Sequence, residues 1–123
     1  MISFEQFHMQ GDAPIYMQII TYIKQGIVAR TILDGEELPS RRVLSATLGV
    51  NPMTVQKAYK ILEDEGLIQS RAGAKSCVAV TPEMLLEIRE VLLEDDAKNA
   101  VQKLKLMGIS KEDAHGLIEK YWE

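Results

Sequence analysis

The chain has 123 residues, 46% hydrophobic and 26% charged, with a formal net charge of −4. That length holds about one domain and a short appended element, so a large catalytic domain is excluded. Cys77 is the sole cysteine, which excludes an internal disulfide and a cysteine-based metal cluster and leaves it a packing role on a strand.

The N-terminus, MISFEQFHMQGD, has no basic segment followed by an apolar run, and no window of the sequence approaches a membrane span. The expectation is a cytoplasmic protein with no membrane partner. The negative net charge is unevenly placed. Residues 1–80 carry eight Lys/Arg and eight Asp/Glu, whereas residues 81–123 carry six and ten. Between Pro39 and Lys75, six basic residues face only Glu63, Asp64 and Glu65. Binding depends on where charge sits, so a polyanionic partner stays open.

In chain order, Asp12-Ala13-Pro14 predicts a helix start, with Asp12 as the cap and Pro14 in the first turn. Tyr16, Ile19, Ile20, Ile23 and Ile27 then recur at one-face helical spacing, predicting a helix to about Arg30. Leu33 to Glu37 reads as a turn. Ser40 caps a second helix, which Leu44 and Leu48 pack inward and Gly49 ends. Asn51-Pro52 opens a third helix with a capping Asn and a proline at the first helical position. Its buried face is Val55, Ala58, Tyr59 and Leu62; its opposite face presents Met53, Thr54, Gln56, Lys57 and Lys60. Gly66 closes it in the left-handed conformation, and Leu67-Ile68 and Cys77 to Val80 are short strands around a basic loop.

Thr81-Pro82-Glu83 starts a long fourth helix, along which Met84, Ile88, Val91, Leu92, Ala97, Val101 and Leu104 line one side until Gly108. Ser110 and Asp113 form a capping box for a fifth helix carrying Ala114, Leu117, Ile118, Tyr121 and Trp122 at helical spacing. Two such helices have more apolar surface than they can hide from water alone, which implies a partner surface. The fold expected is mainly α with a small β-ribbon: a winged helix-turn-helix at residues 1–80 and a two-helix dimerisation tail at residues 81–123.

A short helix, a turn at Gly49-Val50 and a second helix opening with Asn51, Met53 and Thr54 place that helix's first turns where they can read base edges. Arg41 and Arg42 stand where the preceding helix meets the backbone or groove edge. An arginine reads guanine bidentately, worth roughly 1–3 kcal/mol of discrimination, while a lysine on phosphate adds salt-dependent affinity, so Arg42 ranks above Lys57 for specificity. Blander roles compete. Lys57 and Lys60 suit pairing with Glu63 and Asp64, Asn51 is a cap first, Met53 shields the helix start, and Arg71, Gly73 and Lys75 suit a polar hairpin turn as well as a DNA-touching wing.

Enzyme signatures are thin. His8 and His115 are isolated, the acidic runs Glu63 to Glu65 and Glu94 to Asp96 read as solvated helix faces, and no nucleophile has an adjacent base. The expectation is no enzyme, no cofactor and no metal.

These residues resemble the winged-helix domain of the GntR family of bacterial transcription regulators. The resemblance is carried by Pro14-Ile15-Tyr16, LPSRRVL (Leu38 to Leu44), LGVNPMTVQKAYKILEDEGLI (Leu48 to Ile68) and SRAG (Ser70 to Gly73). The short helical tail is similar to that of the YtrA subfamily. The resemblance implies operator contacts at Arg42, Thr54 and Gln56, with Arg41, Asn51, Met53 and Lys57 beside them and Gly73 at the wing tip. Where the family pattern has a second wing glycine and a Thr-Phe-Val strand, this chain has Lys75 and Ser76-Cys77-Val78. It therefore implies a differently shaped wing in which Lys75 adds a phosphate contact.

The function expected is a sequence-specific, homodimeric repressor on an inverted-repeat operator in double-stranded DNA. Leu85, Ile88, Leu92, Val101, Leu104, Leu117, Ile118, Tyr121 and Trp122 are the expected dimer contacts. A winged helix that binds an acidic protein partner is the alternative. An unknown small-molecule effector between the tail helices is admitted, although no polar cluster marks a pocket there.

Overall fold

The computed structural model describes residues 1–71 and 75–123, and Arg71 by its backbone alone. The elements are α1 (Ile15–Ala29), α2 (Arg41–Leu48), α3 (Pro52–Asp64), β1 (Ile68–Arg71), β2 (Lys75–Val78), α4 (Pro82–Leu106) and α5 (Lys111–Tyr121). The chain divides into two compact units, Met1–Ile88 and Arg89–Glu123, and the division falls inside α4.

In the first unit α1 turns Ile19, Ile20, Ile23 and Ile27 inward, as their spacing predicts. The expected Asp12 cap is not made. Pro14, extended at ψ 145°, is itself the cap residue, and no side chain accepts from the first turn. Gln18 folds back instead: its Nε2 donates to the Ala13 carbonyl (2.8 Å) and its Oε1 accepts from the Gln10 amide (2.9 Å). α1 ends with Arg30 in the left-handed region at φ 63°, where L side chains are disfavoured. The Arg30 amide there meets the Gly26 and Ile27 carbonyls. A methyl at Gly26 would collide with the Ile32 side chain, so this turn needs glycine for close approach.

α3 crosses the unit with Val55, Ala58, Tyr59 and Leu62 fully buried, and Leu44 of α2 closes the same core. β1 and β2 pair antiparallel from Ile68↔Val78 to Arg71↔Lys75. Arg71 and Lys75 therefore end the strands rather than sit in the loop between them. Ladder hydrogen bonds need backbone groups, not apolar side chains, so pairing runs outward past the last hydrophobic residue.

The stretch expected to be only a turn contributes to the sheet. Leu38 N donates to Ser76 O, Val78 N to Glu36 O and Gly35 N to Val78 O, each at 2.8 Å, so Glu36 to Leu38 lies along β2 as a third rail. The N-terminus is also structured. Ile2 N donates to Glu37 O at 2.9 Å, Ile2 and Phe4 are buried, and Tyr22 Oη donates to Ser3 O at 2.8 Å.

α4 starts as predicted, Thr81 Oγ1 accepting from Met84 N at 3.2 Å. Its first turns belong to the first unit: Met84, Leu85 and Ile88 are half-buried against that core. The compact unit thus reaches eight residues beyond the Val80 boundary read from the sequence, to Ile88.

The second unit is made of the rest of α4 and α5. Gly108 at φ +73° turns the chain, and Ser110 caps α5 by accepting from Asp113 N at 3.1 Å. Neither α4 nor α5 contains a fully buried residue. Among the described residues no helix is long and apolar enough to cross a membrane.

Candidate nucleic-acid interface

Local chemistry sets the helix-turn-helix. Ser40 Oγ accepts from Val43 N at 3.1 Å, fixing where α2 begins. Gly49, at φ 68°, ends it, and its amide and that of Val50 both return to the Ser45 carbonyl. One residue later Asn51 Oδ1 accepts from Met53 N at 2.8 Å, and Pro52 occupies the first position of α3. The two helices are thus joined through three residues, and the start of α3 is closed on itself: Pro52 has no amide proton, Met53 N is held by Asn51 Oδ1 and Thr54 N by the Asn51 carbonyl at 2.9 Å.

Tyr59 holds α2 against α3. Its ring is buried, its hydroxyl donates to the Pro39 carbonyl at 2.7 Å, and the Arg41 guanidinium lies 5.1 Å from the ring centroid. Burial raises the Tyr59 pKa well above its ordinary value, and nearby Arg41 offsets only part of that.

The basic residues named from the sequence fall into different situations. Arg42 is exposed, and among the described residues it makes neither an ion pair nor a ring contact. Arg41 is half-buried on Tyr59. Lys57 is not paired with the acidic end of its helix, because its Nζ sits 4.0 Å over the Tyr16 ring of α1. Lys60 does form that pair, 2.9 Å from Asp64 Oδ1, and this hydrogen bond raises its pKa. Lys75 lies 3.5 Å from Glu37 Oε2. Exposed pairs of this kind are weak, so both lysines can exchange a carboxylate for a phosphate at little cost.

Met53, Gln56 and Lys57 are exposed along the outer face of α3, Thr54 is half-buried there, and the Asn51 side chain is committed to the cap. Gly73 lies outside the described residues, and of Arg71 only the backbone position at the end of β1 is given. Ser70 Oγ donates to Glu63 Oε2 at 2.7 Å, linking the ribbon to α3.

The expected dimer contacts divide as well. Val101, Leu117, Ile118, Tyr121 and Trp122 are exposed, the last at 82%, while Leu92 and Leu104 are half-buried. Leu85 and Ile88 pack on the core of the first unit instead. Sequence reasoning passed over Leu86, Leu93, Leu106 and Met107, all exposed. Leu86 and Leu93 are two turns apart, a spacing that would have marked a second apolar stripe on α4.

A capped two-helix reader, its outer face polar, followed by a basic ribbon, defines a winged helix-turn-helix DNA-binding domain. The pattern for "Bacterial regulatory proteins, gntR family" matches residues 15–78. The chain belongs to the GntR family and is a transcriptional regulator with that family's DNA-binding domain.

It is similar to the uncharacterized HTH-type transcriptional regulator YhcF of Bacillus subtilis, 32% identical over 93% of this chain and 94% of that one. It is also similar to the HTH-type transcriptional repressor YtrA of the same organism, 30% identical over 94% and 89%. A solved GntR family transcriptional regulator from Listeria monocytogenes superposes with a TM-score of 0.77 at 29% identity, covering 91% of this chain and 98% of that one. These relatives are named as regulators rather than enzymes, and the last match spans both the winged helix and most of the tail.

Proposed function

We propose that the protein is a homodimeric, sequence-specific repressor that reads an inverted-repeat operator in the cytoplasm. The observation that carries this reading is the division of α3, which buries Val55, Ala58, Tyr59 and Leu62 completely and leaves Met53, Gln56 and Lys57 exposed, as Arg42 of α2 also is. Base reading is assigned to Arg42, Gln56 and Thr54. Phosphate contacts are assigned to Arg41, Lys57, Lys75 and Arg71, with Gly73 letting the wing approach the backbone.

Dimerisation is assigned to the tail within residues 81–123, through Leu92, Val101, Leu104, Leu117, Ile118, Tyr121 and Trp122, with Leu86, Val91 and Leu93 added. Leu85 and Ile88 leave that surface, being occupied at home. Two readers related by a two-fold axis meet successive major grooves roughly 34 Å apart, which accounts for an inverted repeat. Repression by occupying a promoter agrees with the naming of the B. subtilis relative YtrA as a transcriptional repressor.

Fluorescence anisotropy against duplex DNA tests the reading. Affinity for random duplex must fall steeply with log salt, because bound phosphates release counterions. On the selected operator Arg42→Ala must cost more than on random duplex. Binding that ignores salt, or equal losses on both duplexes, would remove the assigned roles.

A further inference from the structure

A cavity of about 340 Å³ opens at the first turn of α2, walled by Leu38, Pro39, Val43 and Tyr59 and lined by Arg41 and Ser76. Among the described residues, two buried side-chain polar atoms have no hydrogen-bond partner, Arg41 Nε and Ser76 Oγ. Both residues line this one cavity.

A buried polar group without a partner is costly, and native structures rarely leave two at one place unless something fills the gap. Arg41 Nε can only donate, and the Ser76 hydroxyl has a proton to give. Ser76 is 3% exposed, so bulk water does not serve it. The Tyr59 hydroxyl is no donor here, being engaged on the Pro39 carbonyl. Lys75 and Glu37 stand at the rim, 3.5 Å from each other, their charges largely offset. The leading amides of α2 are unpaired within the helix and add a positive end beside the guanidinium. Two unpartnered donors, a cation and apolar walls match an acceptor-only ligand with a compact charged head.

We propose that this cavity binds a small oxyanion, a phosphate or carboxylate held by Arg41 Nε and Ser76 Oγ. Arg41 immediately precedes Arg42, so an occupant sits one residue from the side chain assigned to base reading. Its source is either a free anion acting as an effector or a phosphate of the DNA backbone. The binding claim itself does not depend on DNA recognition.

The test is a titration of the full chain with inorganic phosphate at constant ionic strength, without DNA, followed by NMR at the Arg41 Nε–H and the Arg42 and Ser76 amides. Saturable shifts are expected, weakened about tenfold in Ser76→Ala and in Arg41→Lys, the effect of losing one hydrogen bond to an ion. Unchanged signals elsewhere establish that both variants are folded. No shift, or a linear drift identical in wild type and Ser76→Ala, means a resident water or an adventitious ion only and overturns the site.

Random duplex then separates the sources. Phosphate that displaces duplex from wild type but not from Ser76→Ala, with duplex affinity falling without a plateau as phosphate rises, places a backbone phosphate in the cavity. Phosphate that saturates while duplex stays bound, its affinity unchanged or shifted only to a plateau, makes the free anion the ligand. Failure to bind any duplex contradicts the DNA reading alone.

Discussion

The two units spend their hydrophobic residues in opposite ways. In residues 1–88 the large aliphatics converge, and Ile19, Ile23, Val55, Tyr59 and Leu62 are entirely removed from water. In residues 89–123 no helical residue is fully buried, and Val91, Leu106, Met107, Tyr121 and Trp122 are all more than half exposed. A first unit of that kind is complete by itself and can devote its polar surface to a ligand. A second unit of that kind leaves its apolar side chains open to water, and it is the part of the chain expected to gain most from a partner. Stability and assembly are therefore separable by mutation in this chain.

The largest expected effect is inside the first unit. Ile23→Ala removes a side chain with 0% exposure and is expected to lower unfolding free energy by about 2–5 kcal/mol in urea denaturation, without changing which surface dimerises. A smaller loss would mean that the core is looser than its burial implies.

Next comes assembly. Ile118→Asp, at a position 53% exposed, is expected to convert a dimer to a monomer in sedimentation equilibrium while the helical content of the first unit persists. A chain cut after Ile88 is the sharper form of the same experiment, since a cut at Thr81 also strips Met84, Leu85 and Ile88 from the core. A dimer surviving either change would place the interface elsewhere.

Smaller effects test the joint between α2 and α3. Ser40→Ala removes the α2 cap and is expected to cost about 1 kcal/mol. Tyr59→Phe removes the bond to Pro39 and is expected to cost about 1 kcal/mol near neutral pH. The pH dependence has a definite sign. The folded-state pKa of Tyr59 is raised above its ordinary value of 10.0, so its contribution is intact below that value and declines as pH rises above it. The stability gap between wild type and Tyr59→Phe should narrow in alkaline solution. A gap that widens would contradict the buried, neutral phenol.

Much of this was legible in the sequence wherever a local rule decides. Ser40, Asn51-Pro52, Thr81 and Ser110 cap helices through bonds a few residues long, and the periodicity of α1 and α3 names their buried faces correctly. What escaped depends on distant partners. Ile2 and Phe4 are buried by packing that no periodicity announces, and Glu36 to Leu38 becomes a rail only because β2 offers it a ladder. Asp12 looked like a cap, but Pro14 takes the cap position and Gln18 the nearby bonds. Arg41, Lys57 and Lys75 look equivalent in the sequence. They differ because Tyr59, Tyr16 and Glu37 come to meet them from other elements. The tail's apolar excess was readable, whereas the diversion of Leu85 and Ile88 to the first unit was not, since an apolar side chain does not state which surface it will meet.

Selection of bound fragments from a random duplex pool tests most directly whether the dimer presents the DNA reader twice. Enrichment of an inverted repeat whose half-sites lie about one helical turn apart, or a multiple of it, is the predicted result. Enrichment of a single unpaired half-site, or of no sequence at all, would contradict it.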